Sequence, residues 1–296
     1  VPAGAIQYPL RAAGVTTRAV QWGVSGPTVV FLHGLGSHAE VWSGVAPALA
    51  AEGWRCIALD LPGHGLSGKG ADFSYDLDGH AAWLEAAVDA LGESRFHLVA
   101  SSLGGLWAAG FAGRFPDRIE TLTLVGAVGL EALTRERLNW TAEYLGRMDR
   151  RSIAERLHRA VADSSVIDPA YIEETCRMNN SAGAAEAFAR LGRYYLDHLN
   201  DDVQLERLAG SGLGRRVLLV WGKEDATVAY SGAVAAARRL PECTLFALDD
   251  TRHVPHLERP AAVAWALSLH LRLERLPEGR VPGGEVSRGG VRKGED

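Results

Sequence analysis

The chain has 296 residues, 47% of them apolar, and carries a formal net charge of −5. That length buries a large core, in one domain or in a domain with an inserted subdomain, and the acidic balance speaks against nucleic acid or an anionic membrane as the main partner. No run approaches eighteen uninterrupted apolar residues, so no membrane-spanning helix is expected.

The opening Val1-Pro2-Ala3-Gly4 lacks the basic start and apolar stretch of a secretion signal. Cys56, Cys176 and Cys243 are odd in number and far apart. Buried free thiols in a cytoplasmic protein are the expectation.

The first strong strand-like run, Thr28–Leu32, is continuously apolar, which suits a strand covered on both faces. It leads into His33-Gly34-Leu35-Gly36. The glycines let the backbone turn close to a ligand, so that the Leu35 amide can meet a developing negative oxygen, while His33 reads as an imidazole that pins the loop. A helix is predicted over 41–51, then a strand over Arg55–Leu59. The following Asp60-Leu61-Pro62-Gly63-His64-Gly65-Leu66-Ser67 reads as a tight loop fixed by Asp60 and Ser67.

After a predicted helix over 77–91 comes the strand-like Phe96–Val99 and then Ala100-Ser101-Ser102-Leu103-Gly104-Gly105. Small residues two positions either side of Ser102 permit a sharp strand-to-helix turn that lifts its hydroxyl off the end of the strand. Taken alone, the serine reads equally as a helix N-cap. A helix over 102–115 would offer the Leu103 amide as a second donor to an oxyanion.

The strand-like Thr121–Val125 is followed by a stretch, 130–214, that exceeds an ordinary crossover and has helical spacing over 151–162, 169–178 and 184–199. It is expected to form a helical cap above the carboxyl ends of the strands. Trp140, Tyr144, Met148, Met178, Phe188, Tyr194 and Tyr195 are its candidates for an apolar pocket, and Arg190 and Arg193 its candidates for meeting a substrate carboxylate.

The run Val217–Trp221 ends at Gly222-Lys223-Glu224-Asp225, with Asp225 the candidate acid and Glu224 its neighbouring rival. A helix over 228–240 and a strand over Thr244–Leu248 precede Asp249–Glu258, where His253 is the candidate base and His256 the rival. After a helix over 261–273, the glycine- and charge-rich sequence from Leu276 onward is expected to be a flexible tail.

Strands alternating with helices imply a mostly parallel sheet in a doubly wound α/β protein, with residues 1–129 and 215–275 forming its core. A serine hydroxyl becomes a strong nucleophile only when an imidazole removes its proton and an acid orients that imidazole. Ser102, Asp225 and His253 supply the three groups in the chain order expected on this architecture, each at the end of a predicted strand. The histidines are scattered through unrelated loops, so no metal or cofactor is expected.

These motifs resemble the α/β-hydrolase superfamily over approximately Gln21–Leu273: His33–Gly36 its oxyanion loop, Ala100–Gly105 its nucleophile elbow, Gly222–Asp225 and His253–Pro260 its acid and histidine loops. The resemblance implies a serine hydrolase acting on an ester, lactone or thioester of a small, partly apolar carbonyl compound through an acyl-enzyme. Carbon–carbon bond hydrolysis of a diketone and non-catalytic binding of a small molecule are the alternatives. Dehalogenases and epoxide hydrolases of the superfamily place Asp where Ser102 stands. Its ring-cleavage-product hydrolases have Asn before the nucleophile and Trp after the histidine, where this chain has Ser101 and Val254.

Overall fold

The computed structural model describes residues 4–289. Strands β1 (Ile6–Ala12) and β2 (Val15–Trp22) form a hairpin whose turn residues, Ala13 and Gly14, have φ of 46° and 79°, the mirror-image geometry that suits the right-handed twist of paired strands. The chain continues through β3 (Thr28–Leu32), α1 (Ala46–Ala51), β4 (Arg55–Leu59), α2 (Leu77–Ala90), β5 (Phe96–Ser101), α3 (Leu103–Arg114) and β6 (Ile119–Val125). Five helices follow: α4 (Arg135–Leu145), α5 (Arg150–Ala160), α6 (Pro169–Asn179), α7 (Ala184–Asp197) and α8 (Leu205–Ala209). Then come β7 (Val217–Gly222), α9 (Tyr230–Arg239), β8 (Thr244–Leu248), α10 (Pro255–Glu258), α11 (Pro260–Leu271), β9 (Gly279–Val281) and β10 (Gly284–Arg288).

The strands make one ten-stranded sheet in the order β1-β2-β4-β3-β5-β6-β7-β8-β10-β9. From β4 to β8 neighbouring strands are parallel, and both flanks are antiparallel. The doubly wound α/β class read from the sequence is therefore borne out, and its six strand-like runs are the six parallel strands. Their continuous apolar character has a direct cause. In β3, Val30 and Leu32 face one core with Trp83 of α2 and Leu106 of α3, whereas Val29 and Phe31 face the other with Leu49 of α1 and Leu267 of α11.

Helices α4, α5 and α6 begin where Thr134, Asp149 and Asp168 accept backbone amides of their first turns, as N-caps do. α4 packs on α7 and α5 on α6, while α8 lies against α3 and α9. The last part of 130–214 thus joins the layer beside the sheet. Among the described residues, no helix is long and apolar enough to cross a membrane.

The expectation of a flexible tail from Leu276 is corrected for residues 276–289. β10 pairs antiparallel with β8, and β9 folds back on β10 through a Pro282-Gly283 turn in which Gly283 has φ of 84°. The segment is too polar to fold alone, but it uses the open edge of β8 as a template and buries Leu276 and Val286 in the core below. Residues 290–296 of that expected tail lie outside the described residues. Val286→Asp places a carboxylate in this core, and is expected to cost about 2 kcal/mol and lower the melting midpoint by roughly 4–8 °C. An unchanged midpoint in calorimetry would refute the bracing role of β10.

Candidate active site

Ser102 sits between β5 and α3 with φ of 51° and ψ of −121°, a conformation that a non-glycine residue adopts only at a cost of about 1–3 kcal/mol. Its backbone is held by Ser102 N–H donating to the Val125 carbonyl at 3.0 Å and by the Ser102 carbonyl accepting from Gly105 and Val128. The turn needs its glycine: a Cβ on Gly104 would stand 2.4 Å from the His33 carbonyl oxygen. The N-cap reading of Ser102 does not survive, because its side chain caps nothing in α3. Its Oγ instead lies 3.0 Å from His253 Nε2, and His253 Nδ1 lies 2.9 Å from Asp225 Oδ2.

Proton placement follows from chemistry. A carboxylate only accepts, so His253 donates Nδ1–H to Asp225, and Nε2 is left to accept the Ser102 hydroxyl proton. Asp225 is itself fixed, since its Oδ1 accepts from the amides of Thr227 at 2.7 Å and Val228 at 2.9 Å. The rivals are engaged elsewhere. Glu224 accepts from the Thr251 amide, and His256 stacks on Trp42 with ring centroids 4.4 Å apart.

The Leu35 amide has no acceptor among the described hydrogen bonds, and Leu103 is the first residue of α3, where an amide has no intrahelical acceptor. Leu103 follows Ser102 in the chain, and Leu35 lines the same cavity as Ser102, one residue after Gly34, where a Cβ would come within 2.8 Å of the Ser102 Cβ. His33 holds this loop by donating Nδ1–H to the Gly34 carbonyl and accepting the Leu61 amide at Nε2. Burial pushes its imidazole down to about 4, so it is neutral at pH 7. Behind the loop, Asp60 accepts from the Ala39 and Leu66 amides and from Arg18, which also pairs with Glu40. Asp60 and Ser67 are thus loop-fixing groups, with Ser67 Oγ donating to the Asp60 carbonyl.

Several hydrogen bonds tie the helices between β6 and β7 to this site. Asn179 of α6 donates to the Gly36 carbonyl, the His253 amide donates to the Ala160 carbonyl, and Glu258 accepts from the amides of Ala162 and Arg252. Together they enclose a cavity of about 150 Å³ that Ser102 and His253 line, with Trp140, Tyr144 and Tyr195 on its wall. Met148, Met178, Phe188 and Tyr194 do not reach it.

Arg190 and Arg193 also lie outside the cavity: Arg190 pairs with Glu186 and the Phe73 carbonyl, and Arg193 is exposed. The cavity arginines are Arg137, Arg156 and Arg159, none of which the sequence reading singled out. A signal for one was present. Ile153, Arg156, Leu157 and Ala160 follow the i, i+3, i+4, i+7 spacing of an inward helix face, so Arg156 interrupts an apolar stripe.

His256 also lines the cavity, with both ring nitrogens buried and unpartnered. Burial, and secondarily the charge of His253, pushes it from 6.5 down to about 3. Between those values the unfolded chain binds a proton that the folded chain does not, so the stability contributed is full above about pH 6.5 and is lost as pH falls toward 3. His256→Phe keeps the stacking without titrating. Its melting midpoint is expected to fall less steeply than the parent's from about pH 6.5 to 4, and parallel curves would exclude this contribution.

A family model described as alpha/beta hydrolase fold matches residues 27–260. The chain is 30% identical over 265 residues to the dihydrolipoyllysine-residue acetyltransferase component of the acetoin cleaving system of Pseudomonas putida, covering 88% of this chain and 68% of that protein. It is 39% identical over 102 residues to the pimeloyl-[acyl-carrier protein] methyl ester esterase of Aeromonas hydrophila, covering 34% of this chain and 38% of that one. Among solved structures, a bacterial membrane phospholipase A described as a virulence factor superposes with a TM-score of 0.78 at 26% identity, over 91% of this chain and 86% of the other.

Proposed function

We propose that this chain, which belongs to the alpha/beta hydrolase family, is a serine hydrolase that cleaves a carboxylic ester, thioester or lactone through an acyl-enzyme on Ser102. The observation that carries the reading is the unbroken relay from Ser102 Oγ through His253 to Asp225, anchored on a backbone strained at the serine. The similarity to a methyl ester esterase supports the ester class.

In this reading His253 Nε2 takes the hydroxyl proton as Oγ bonds to the substrate carbonyl carbon, and the amides of Leu35 and Leu103 receive the resulting oxyanion. The bond from carbon to the leaving oxygen or sulfur breaks as the imidazolium returns its proton to that atom. Water then attacks the acyl-enzyme, gives its proton to His253, and releases the acid as Ser102 is reprotonated. Helices α4 to α7 serve as the cap that closes the site from bulk water.

A fluorophosphonate followed by peptide mass mapping tests the assignment: labelling is expected on Ser102 and no other serine. Labelling elsewhere, or none in the folded protein, would overturn it. Esters, thioesters, lactones and diketones assayed in parallel identify the bond broken, and turnover of the diketone alone would move the reading to carbon–carbon hydrolysis.

A further inference from the structure

Arg156 projects from α5 into the cavity. Both of its terminal nitrogens are buried without a hydrogen-bond partner, and among the described residues no carboxylate lies within salt-bridge distance of it. The two other cavity arginines are satisfied differently: Arg137 donates to the Ala226 carbonyl, and Arg159 is exposed to solvent, with its guanidinium 5.2 Å from the Trp140 ring centroid. Arg156 lies over the face of Tyr144, its guanidinium carbon 4.5 Å from the ring centroid, and both terminal nitrogens remain without an acceptor. The described cavity wall carries three arginines and no aspartate or glutamate. A buried cation with a free donor edge and no counter-ion is a costly arrangement unless a ligand completes it.

Its position relative to the nucleophile is fixed by one short loop. A Cβ on Gly34 would lie 2.8 Å from the Ser102 Cβ, and a Cβ on Gly36 would lie 2.5 Å from Arg156 Nη1, with Leu35 between them. The free guanidinium and the reacting hydroxyl thus face the same loop two residues apart. We infer that Arg156 binds a carboxylate carried by the substrate on a short spacer from the carbonyl that Ser102 attacks. The planar fork of two nitrogens matches a carboxylate bidentately. A cavity of about 150 Å³, close to the size that holds a benzene ring, limits what separates the two groups. The inference rests on Ser102 as the nucleophile for its catalytic meaning, while the anion site itself stands on Arg156 alone.

Two measurements separate these. Calorimetric titration of Ser102→Ala protein with monomethyl glutarate and dimethyl glutarate reads binding without catalysis. The charged probe is expected to bind about 10- to 100-fold tighter, with that preference abolished by adding Arg156→Met and partly kept by Arg156→Lys. Arg151→Met, on the exposed face of the same helix, should leave the preference intact.

With the parent enzyme, para-nitrophenyl hemiglutarate and para-acetoxybenzoate, which carry the carboxylate on the acyl and leaving-group sides, are compared with para-nitrophenyl pentanoate and methyl para-acetoxybenzoate. At least one charged ester is expected to exceed its neutral counterpart about tenfold in kcat/KM, chiefly through KM, and to lose that advantage in Arg156→Met. Equal binding of the two glutarates, a preference that survives Arg156→Met, or tighter binding of inorganic phosphate than of either would overturn the inference. Arg156-dependent binding in a protein that turns over no ester, thioester or lactone would refute the hydrolase reading and leave the anion site standing. Should Arg156→Met fail to fold, Arg156→Gln and Arg156→Lys carry the same comparison.

Discussion

Ser102→Ala is expected to lower kcat by at least about ten-thousandfold on any ester the enzyme accepts, with little change in KM, because in the proposed mechanism the alanine removes the atom that bonds to the substrate while leaving the pocket in place. Residual turnover above the uncatalysed rate would then come from the oxyanion donors and binding alone. A companion variant separates chemistry from folding. Ser102 holds φ of 51°, which glycine adopts without strain, so Ser102→Gly should be as inactive as the alanine variant and yet more stable by about 1 kcal/mol. Turnover within tenfold of the parent in either variant would remove Ser102 from the mechanism. A melting midpoint no higher for glycine than for alanine would show that the elbow stores no strain.

Asp225→Asn is expected to reduce kcat about 100- to 10,000-fold, and the hydrogen bonds give the reason. Oδ1 accepts two backbone amides, so the asparagine oxygen is retained there and its NH2 takes the place of Oδ2, facing His253 Nδ1. Two donors cannot meet. The imidazole must shift its proton to Nε2, the nitrogen that has to receive the proton of Ser102, and the base becomes a donor. Glu224→Gln, whose partner is the Thr251 amide, should leave kcat within about threefold, since a neutral amide oxygen accepts that bond equally. Full activity in Asp225→Asn together with loss in Glu224→Gln, measured by steady-state kinetics, would transfer the orienting role to Glu224.

What could be read in the sequence divides along physical lines. The six parallel strands are buried on both faces and declare themselves as continuous apolar runs, whereas β1 and β10 alternate exposed and buried residues amid charges and give no comparable signal. Ser102, Asp225 and His253 could be singled out because they stand in the loops that leave β5, β7 and β8, at the same end of the parallel strands. Arg156, Asn179 and Glu258 could not be placed in the same way. Their partners, the cavity, the Gly36 carbonyl and the Ala162 amide, are brought to them by packing between distant segments. Arg190 and Arg193 illustrate the converse: an arginine on a helix facing the right layer still needs the right rotation about that helix, and these two miss the cavity.

The C-terminal hairpin has a further consequence for the behaviour of the chain in concentrated solution. Without it, β8 would present a row of unpaired amides and carbonyls flanked by Leu245 and Phe246, a template on which a second molecule could add a strand. The hairpin moves that boundary outward to β9, which is only three residues long, carries Arg280 and ends against Pro282. A proline cannot donate to an incoming ladder, and a short charged strand offers little to pair with. Residues 276–289 therefore act as a guard against self-association at this flank of the sheet, a role distinct from the stability they add and one that a truncated chain would reveal as aggregation at temperatures well below its unfolding.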